Sequence, residues 1–323
     1  MEPLASGKIS TLGNARQVQF SGVDFRVCRC TLSGMQVEIS EWKEDSAPAA
    51  GFYEDVPFEV YCSWPYLNHS VLKQIHRSPA HARLTMDRVT ESTEYQIVGQ
   101  VLHTAILEPH EIGARYAVIP EEEILDGIQG YQRPKSSKKY KAAVKKFSQL
   151  NEGKMLVSDE DFSRIVMLSE AIIDLGLLND KHYHNEVSLV WRDEETGIWC
   201  KGRIDRLSMD DDGHPTKILD IKKHDDNRDF SYAIRRFKYH SQLAFYQSGV
   251  YSLTGMLPDP HIMKVETSPP FIIHCAPLAA RAVQLGWEKN REGMSLLLDC
   301  QASGDWPGPE CPDSWDLPDS SYF

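Results

Sequence analysis

The sequence predicts an α/β fold in which a mixed central β-sheet is flanked by helices. Apolar residues recur with helical spacing near 93–107 and 159–175. Between residues 184 and 223 the period changes to two, and the turn sequences EETG and DDDGHP interrupt the alternation. Three successive antiparallel strands joined by hairpins are therefore expected at 184–193, 197–209 and 216–223.

The remaining predicted elements lie on both sides of this hairpin region. They are a small β element at 35–42, a helix at about 66–77, a strand at 114–119, a helix around 229–253, strands at 261–266 and 270–275, and a helix at 277–299. Asn68 or Ser70 is a plausible N-cap of the helix that stops before Pro79.

Three parts are expected along the chain. Residues 1–60 form an N-terminal extension that is partly β, and residues 61–300 form the main domain. Residues 301–323 hold four prolines and five acidic residues but no Lys or Arg, which is typical of an extended tail. Trp306 and Trp315 are large apolar groups whose burial would dock this tail.

Composition excludes several classes of protein. With 323 residues and 41% hydrophobic content, the chain can bury a core, so disorder throughout is not expected. It contains no run of about 18 apolar residues and no secretory signal pattern, so no membrane association is expected. Seven scattered cysteines without a CxxC pair argue against a disulfide framework and a structural zinc site.

One basic segment stands out in an otherwise acidic chain. The formal net charge is −12, which would repel nucleic acid if it were evenly spread. Residues 131–146 nevertheless hold seven cations and no acidic residue. These cations are Arg133, Lys135, Lys138, Lys139, Lys141, Lys145 and Lys146. The segment is either a solvated helix face with a flexible lead-in or a phosphate-facing loop or arch, and the contrast in charge favours the second interpretation.

Asp220 and Lys222 carry the sharpest chemical signal. Side chains alternate along a strand, so these two share one face while Leu219 and Ile221 point into an apolar layer. Asp205 lies across the DDDGHP turn, where antiparallel pairing can bring it beside Asp220. Two adjacent carboxylates repel unless a cation holds them, and Mg²⁺ takes such oxygen ligands. The alternative is an Asp–Lys pair that neutralises itself on a solvent-facing hairpin.

Other residues offer weaker support for a metal site. His103 lies in the middle of an apolar helix, one turn after Gly99, and could be a ligand or a hydrogen-bonded core histidine. Glu186, alternating with Ser188 on the first strand, could add an oxygen ligand or lie in solvent. A helix stripe after the cations Arg235, Arg236 and Lys238 could support the site or form an amphipathic boundary. The stripe consists of Tyr239, Gln242 and Tyr246.

Taken in order, these motifs resemble the PD-(D/E)XK exonucleases of the exonuclease VIII type from phage and prophage recombination systems. They are also similar to the nuclease domain of the RecBCD helicase–nuclease. The likeness runs from about Trp64 to near Trp306. It is carried by LNHSVLKQIHRSPAHAR, by VLHTAILEP, by WRDEETGIWCKGRIDRL with ILDIKK, and by YHSQLAFYQSGVY. GRID stands where relatives often have a proline before the aspartate.

The resemblance implies a PD-(D/E)XK nuclease core within residues 61–300, with residues 131–150 facing DNA. It implies that His103, Asp205 and Asp220 bind one or two Mg²⁺ ions, or Mn²⁺ in substitution, helped by the Ile221 carbonyl. Lys222 would orient or activate the attacking water, while Gln242 and Tyr246 would support the site. Further DNA contacts are expected from Ser70, Arg77, Arg83, Lys138, Lys139 and Lys141, with Asn68 another candidate for a 5′-phosphate.

The implied activity is degradation of linear double-stranded DNA from the 5′ end, which leaves a 3′ single strand for an annealing recombination protein. A ring-shaped homo-oligomer, trimeric or tetrameric, and a bacterial or phage-infected cell follow from the same likeness. The scattered cysteines fit a reduced cytosol, so a cytoplasmic location is expected. Three alternatives stay open. They are an endonuclease of the restriction or CRISPR-adaptation type, a catalytically inactive DNA-binding relative, and a hydrolase of small phosphoesters, for which seven cations would not be needed.

Overall fold

In the part of the chain that the structure describes, seven strands form a mixed central sheet and two more form a small separate one. The computed structural model describes residues 39–41, 48–86, 94–128, 133–225 and 229–309, all within one unit that spans residues 36–323. The strands are β1 (Ile39–Glu41), β2 (Gly51–Glu54), β3 (Tyr116–Val118), β4 (Met155–Val157), β5 (His182–Arg192), β6 (Trp199–Met209), β7 (Pro215–Lys223), β8 (Asp259–Val265) and β9 (Ile273–Pro277).

Helices precede, interrupt and follow these strands. They are α1 (Phe58–Ser63), α2 (His69–Ile75), α3 (Pro79–Met86), α4 (Glu94–Leu107), α5 (Ile112–Arg115), α6 (Glu121–Asp126), α7 (Lys138–Leu150), α8 (Asp159–Asp174), α9 (Phe230–Phe237), α10 (Tyr239–Thr254) and α11 (Ala280–Ser303). Short 3₁₀ turns occupy Pro109–Glu111 and Pro134–Ser136. None of the helices described is long and apolar enough to cross a bilayer.

The order of the central sheet is β1-β2-β5-β6-β7-β8-β9. Strands β5, β6 and β7 pair antiparallel in succession, as their alternating sequence and turns predict. Strands β7 and β8 pair in parallel, and α9 and α10 supply the crossover that a parallel pair requires. The α/β fold with an antiparallel hairpin at its centre is therefore confirmed.

Two apolar layers cover opposite faces of the sheet. Ile218 of β7 packs with residues of α2, α10 and α11, whereas Leu219 and Ile221 pack with residues of α4 and α8. The alternation of these three neighbours follows from the period-two geometry of a strand. The sheet is thus covered by a helical layer on each face.

Several sequence predictions need correction. The helix expected at 229–253 is broken, because Lys238 takes a left-handed conformation (φ 62°, ψ 33°) that ends α9 and starts α10. Part of the expected basic loop or arch is instead the regular helix α7. The strand expected at 270–275 begins only at Ile273, after a turn in which Phe271 has φ 59°. Strand β2 was not predicted, because four residues beginning with a glycine give no readable alternation.

Segments near both ends of the described chain can be compared with the three parts that the sequence predicts. Strands β1 and β2 lie within the predicted N-terminal extension, yet both belong to the central sheet. In the C-terminal tail, Trp306 packs against the core, and the Pro307 carbonyl accepts a hydrogen bond from the Ala80 amide at 3.0 Å. Trp315 lies outside the described residues.

A buried carboxylate ties the β5–β6 turn to α11. Asp193 is 4% exposed and accepts two hydrogen bonds from the Arg291 guanidinium, at 2.6 and 2.7 Å. The Thr196 amide and hydroxyl donate to the same carboxylate at 2.9 and 2.7 Å. Burial opposes the charge, but Arg291 and the Thr196 hydrogen bonds together hold the pKa of Asp193 below its usual range. The ionised carboxylate therefore stabilises the fold.

We predict that Asp193→Ala lowers the free energy of unfolding by about 2 kcal/mol at pH 7, measured by urea denaturation, because buried donors lose their acceptor. The folded pKa is depressed, so this contribution is present above the unfolded value of about 3.9 and is lost as the pH falls through the folded pKa. The wild-type advantage should therefore narrow below about pH 4.

The matched control is Glu292→Ala, which removes an exposed ion pair with Lys289 elsewhere on α11. It should change the free energy of unfolding by less than about 0.5 kcal/mol. Equal stability of Asp193→Ala and wild type at neutral pH would show that this turn is held in another way.

Candidate active site

The β6–β7 hairpin brings two aspartates together. Arg206 of β6 pairs with Leu219 of β7, and this register sets Asp205 opposite Asp220. The Asp205 carboxylate also accepts a hydrogen bond from the Ile221 amide at 2.6 Å. Antiparallel pairing thus fixes one carboxylate by a backbone contact and places the second on the neighbouring strand.

Asp220 and Lys222 form a buried ion pair. The Lys222 amine lies 3.0 and 2.8 Å from the two Asp220 oxygens, and the two side chains are 16% and 1% exposed. Burial opposes the ammonium charge, but Asp220 and Asp205 together raise the pKa of Lys222. The amine therefore stays cationic. Such burial excludes the interpretation of this pair as a solvent-facing surface salt bridge.

His103 joins α4 to the hairpin. Its Nε2 lies 2.8 Å from the Ile221 carbonyl oxygen, so Nε2–H donates to that oxygen. Its Nδ1 lies 3.5 Å from Asp205 Oδ2. In the neutral imidazole with its proton on Nε2, Nδ1 bears a lone pair, and this lone pair lies beside the Asp205 carboxylate. Two electron-rich atoms at this distance call for a proton or a cation between them.

Glu186 completes the cluster through a local backbone distortion. It lies on β5 between the paired residues Asn185 and Val187, and its φ of 51° is unusual for a strand. Arg203 of β6 donates to its carboxylate at 2.6 Å and to the Val56 carbonyl at 2.8 Å. The carboxylate is therefore anchored by a guanidinium from the adjacent strand.

Together His103, Glu186 and Asp205 can each offer one ligand atom, and these atoms all lie within 4.8 Å of one another. Burial raises the pKa of Asp205 to about 7, and Asp220 adds to the rise while His103 opposes it. Imidazole nitrogen and carboxylate oxygen are donors that Mn²⁺ and Mg²⁺ accept. The donor set and its crowded negative charge therefore fit a divalent cation.

Helix α10 covers the hairpin beside this cluster. The Gln242 side-chain amide donates to the Tyr246 hydroxyl at 2.9 Å. Tyr246 is buried, and its ring approaches β6 where Gly202 lacks a side chain. Burial raises the pKa of Tyr246 well above its usual value, and Asp220 and Asp205 also raise it. Gln242 and Tyr246 thus form one hydrogen-bonded unit on the helix next to the acidic site.

The candidate DNA-binding residues are spread over several elements. Asn68 caps α2 by accepting from the Val71 amide at 3.1 Å, while Ser70 and Arg77 are exposed nearby. The Arg83 guanidinium lies 5.6 Å from the centre of the Trp306 ring, so it packs against the C-terminal segment. Five lysines of α7 are exposed. They are Lys138, Lys139, Lys141, Lys145 and Lys146.

Sequence reasoning missed Arg203, which anchors Glu186. A signal was present, because Arg203 precedes Asp205 by two residues and therefore lies on the same face of β6. Asp220 was also predicted to be a metal ligand. Its carboxylate contacts the Lys222 amine, and it is not part of the cluster of His103, Glu186 and Asp205.

A mixed sheet whose central antiparallel hairpin carries an aspartate on one strand and Asp-x-Lys on the next is the core of a PD-(D/E)XK nuclease. The chain belongs to the family of PDDEXK-like domains of unknown function (DUF3799), whose sequence profile matches residues 68–313. No curated protein sequence matches the chain.

Comparison with solved structures gives one likeness of the overall fold and two weaker matches. The chain is similar to a "putative exonuclease" from Eubacterium rectale with 14% identity and a TM-score of 0.53, covering 82% of this chain and 96% of that one. It is also similar to SSO0001, at 16% identity, 61% and 86% coverage and a TM-score of 0.25. Protein VC1899 from Vibrio cholerae gives 9% identity, 79% and 58% coverage and a TM-score of 0.22. The first likeness supports the fold assignment.

We predict that Gly202→Ala disturbs the α10 side of the site. An added Cβ would lie 2.9 Å from Tyr246 Cδ1 and 3.0 Å from Leu189 Cδ2, so the ring or the strand must shift. Overpacking of this kind costs about 1–3 kcal/mol, which urea denaturation would detect.

Gly113→Ala serves as the control, because nothing lies within 4 Å of its added Cβ. It should leave stability unchanged or slightly raised. If Gly202→Ala were as stable as Gly113→Ala, the close approach of Tyr246 to β6 would not constrain the site.

Proposed function

We propose that this nuclease is a metal-dependent exodeoxyribonuclease that degrades linear double-stranded DNA, 5′ to 3′, and leaves a 3′ single strand for recombination. One observation carries the proposal. Ligand atoms of His103, Glu186 and Asp205 converge within 4.8 Å, beside the buried Asp220–Lys222 pair. The similar protein from Eubacterium rectale is described as a "putative exonuclease", which supports the choice of an exonuclease over an endonuclease.

The metal proposed is Mg²⁺, with Mn²⁺ as a substitute and one or two ions per site. His103, Asp205 and Glu186 would hold it, with Asp220 and the Ile221 carbonyl as further oxygen donors. A divalent ion bound there would polarise a phosphate and lower the pKa of a water molecule. The Ile221 carbonyl already accepts from His103 Nε2 at 2.8 Å, and its second lone pair stays available.

The remaining roles follow from charge and position. Lys222 keeps its positive charge in a buried place, so its amine can orient a water molecule or neutralise negative charge developing on a phosphate oxygen. The amine donates a hydrogen bond to Asp220 Oδ1 at 3.0 Å and lies 2.8 Å from Oδ2, so Asp220 fixes its position. Gln242 and Tyr246 would hold α10 against the hairpin and contact the DNA backbone.

Helix α7 supports DNA as the substrate. Its half-buried side includes Tyr140, whose hydroxyl donates to Glu121 of α6 at 2.7 Å. Its five exposed lysines make no ion pair within the described part of the chain. Unpaired ammonium groups on one helix of a chain with net charge −12 form a local surface that attracts phosphates. A small phosphoester would not require such a surface.

Other parts of the proposal rest on the resemblance to exonuclease VIII-type enzymes. Ser70 and Arg77, with Asn68 and Arg83, are candidates for gripping a 5′-phosphate. A single-strand annealing protein is the proposed partner, the proposed assembly is a ring of three or four copies, and the proposed location is the cytoplasm of a bacterial or phage-infected cell.

We predict that Asp220→Asn and Lys222→Met each reduce Mg²⁺-dependent hydrolysis at least about 100-fold, because each removes a charge from the reaction centre. Cleavage is measured on linear duplexes labelled at the 5′ or the 3′ end and on a covalently closed circle, in Mg²⁺ or in EDTA. The matched control is Lys264→Met, since Lys264 pairs with Lys222 in register on β8 but makes its ion pair with Glu266.

Each outcome separates the candidates. Loss of the 5′ label from linear DNA, with an intact circle, supports the exonuclease. Cutting of the circle would establish an endonuclease instead, and DNA binding without cleavage in Mg²⁺ or Mn²⁺ would establish an inactive relative. Full activity of Lys222→Met would show that this amine is not required for hydrolysis.

For α7 we predict that combined Lys138→Glu, Lys139→Glu and Lys141→Glu substitutions weaken duplex binding and flatten its dependence on salt. Each lost phosphate contact reduces the slope of log K against log salt by about 0.9. Fluorescence anisotropy in EDTA measures binding without hydrolysis. Lys289→Glu, on α11, is the control for a change of charge alone. An unchanged slope of log K against log salt in the triple variant would count against a DNA-facing α7.

A further inference from the structure

We propose that the exposed ring of Phe237, with the cations around it, binds an unpaired DNA strand next to the reaction centre. The inference rests on the proposed function, because it names the form of DNA that the site receives. It concerns the corner between α9 and α10, where Phe237 belongs to none of the motifs named in the sequence.

The corner places aromatic rings in a row that starts at the site. Lys222 Nζ lies 4.9 Å from the centre of the Tyr239 ring, and the Tyr239 ring stacks with that of Phe237 at 5.7 Å and an interplanar angle of 28°. Phe237 is 38% exposed, because the left-handed Lys238 turns the chain sharply after it. The row therefore leads from the buried amine to the protein surface.

Cations accompany the outer ring. Lys73 Nζ from α2 lies 5.6 Å from the centre of the Phe237 ring, and Arg236 Cζ lies 5.5 Å from it. Arg235 and Lys238 flank the same segment. Within the described ranges, none of these four cations makes an ion pair with a carboxylate. An exposed aromatic ring among cations that have no carboxylate partner suits a ligand that is both planar and anionic.

Single-stranded DNA has this combination. Its bases offer a free π-face for stacking, and its phosphates match the cations. In an intact duplex the faces of the bases are covered by their neighbours, so an aromatic ring can stack only on a terminal or unpaired base. A surface that used phosphate contacts alone would not need the ring. The pairing of ring and cations therefore favours an unpaired strand over a duplex.

The test uses the full chain in EDTA with a short single-stranded oligonucleotide that carries 2-aminopurine at one end. Stacking quenches 2-aminopurine fluorescence, and anisotropy of a second label gives the affinity. We expect Phe237→Ala to weaken single-strand binding about 10-fold, with the quench lost, and Phe237→Trp to restore both. Duplex binding should change much less.

Tyr251→Ala is the matched control, because Tyr251 is 39% exposed on α10 but lies twelve residues beyond Tyr239, or roughly 18 Å along the helix. It should bind like wild type. The proposal is overturned if Phe237→Ala retains wild-type affinity and quench, if it loses single-strand and duplex binding equally, or if the wild-type chain does not bind the oligonucleotide. Failure of the proposed nuclease would appear separately, as absence of Mg²⁺-dependent cleavage with the quench intact.

Discussion

The burial of two carboxylates on neighbouring strands is the constraint on which the rest of the structure depends. Asp205 and Asp220 face each other across the β6–β7 pair, and isolated charges in such a place are strongly unfavourable. Each is compensated in a different way. Asp205 has the Ile221 amide and lies near His103, whereas Asp220 has the Lys222 amine. Helices α4 and α10, which carry His103 and Tyr246, are far apart in the sequence, yet both pack beside this hairpin.

The sequence was sufficient to predict what depends on local pattern. Alternation and turn residues predicted the β5–β6–β7 hairpins, and antiparallel pairing then implied that Asp205 would lie beside Asp220. The position of His103 could be anticipated because an imidazole in an apolar helix needs a polar partner, and that partner is the Ile221 carbonyl. These features are short-range, or follow from one strand pairing.

Other features depend on contacts that a pattern does not encode. Alternation with Ser188 made Glu186 a candidate ligand, but it could not reveal that its φ of 51° departs from strand geometry. The break at Lys238 was missed because its left-handed conformation is unusual for a lysine, and the surrounding helical spacing conceals it. Strand β2 is recognisable only by its pairing with β1 and β5. In each case tertiary context overrides local preference.

Under the proposed function an acidic protein acts on an acidic polymer, and the distribution of its charge makes this possible. A net charge of −12 repels DNA from most orientations, so contact is favoured only where cations are grouped without carboxylate partners. Two such groups occur in the described ranges, the lysines of α7 and the cations around Phe237. The lysines of α7 have no exposed aromatic ring among them. The other cations surround the exposed Phe237 ring, which stacks on Tyr239 next to Lys222. Under the proposed function, repulsion elsewhere penalises misplaced DNA, so the acidic surface would contribute to the selection of one path toward the reaction centre.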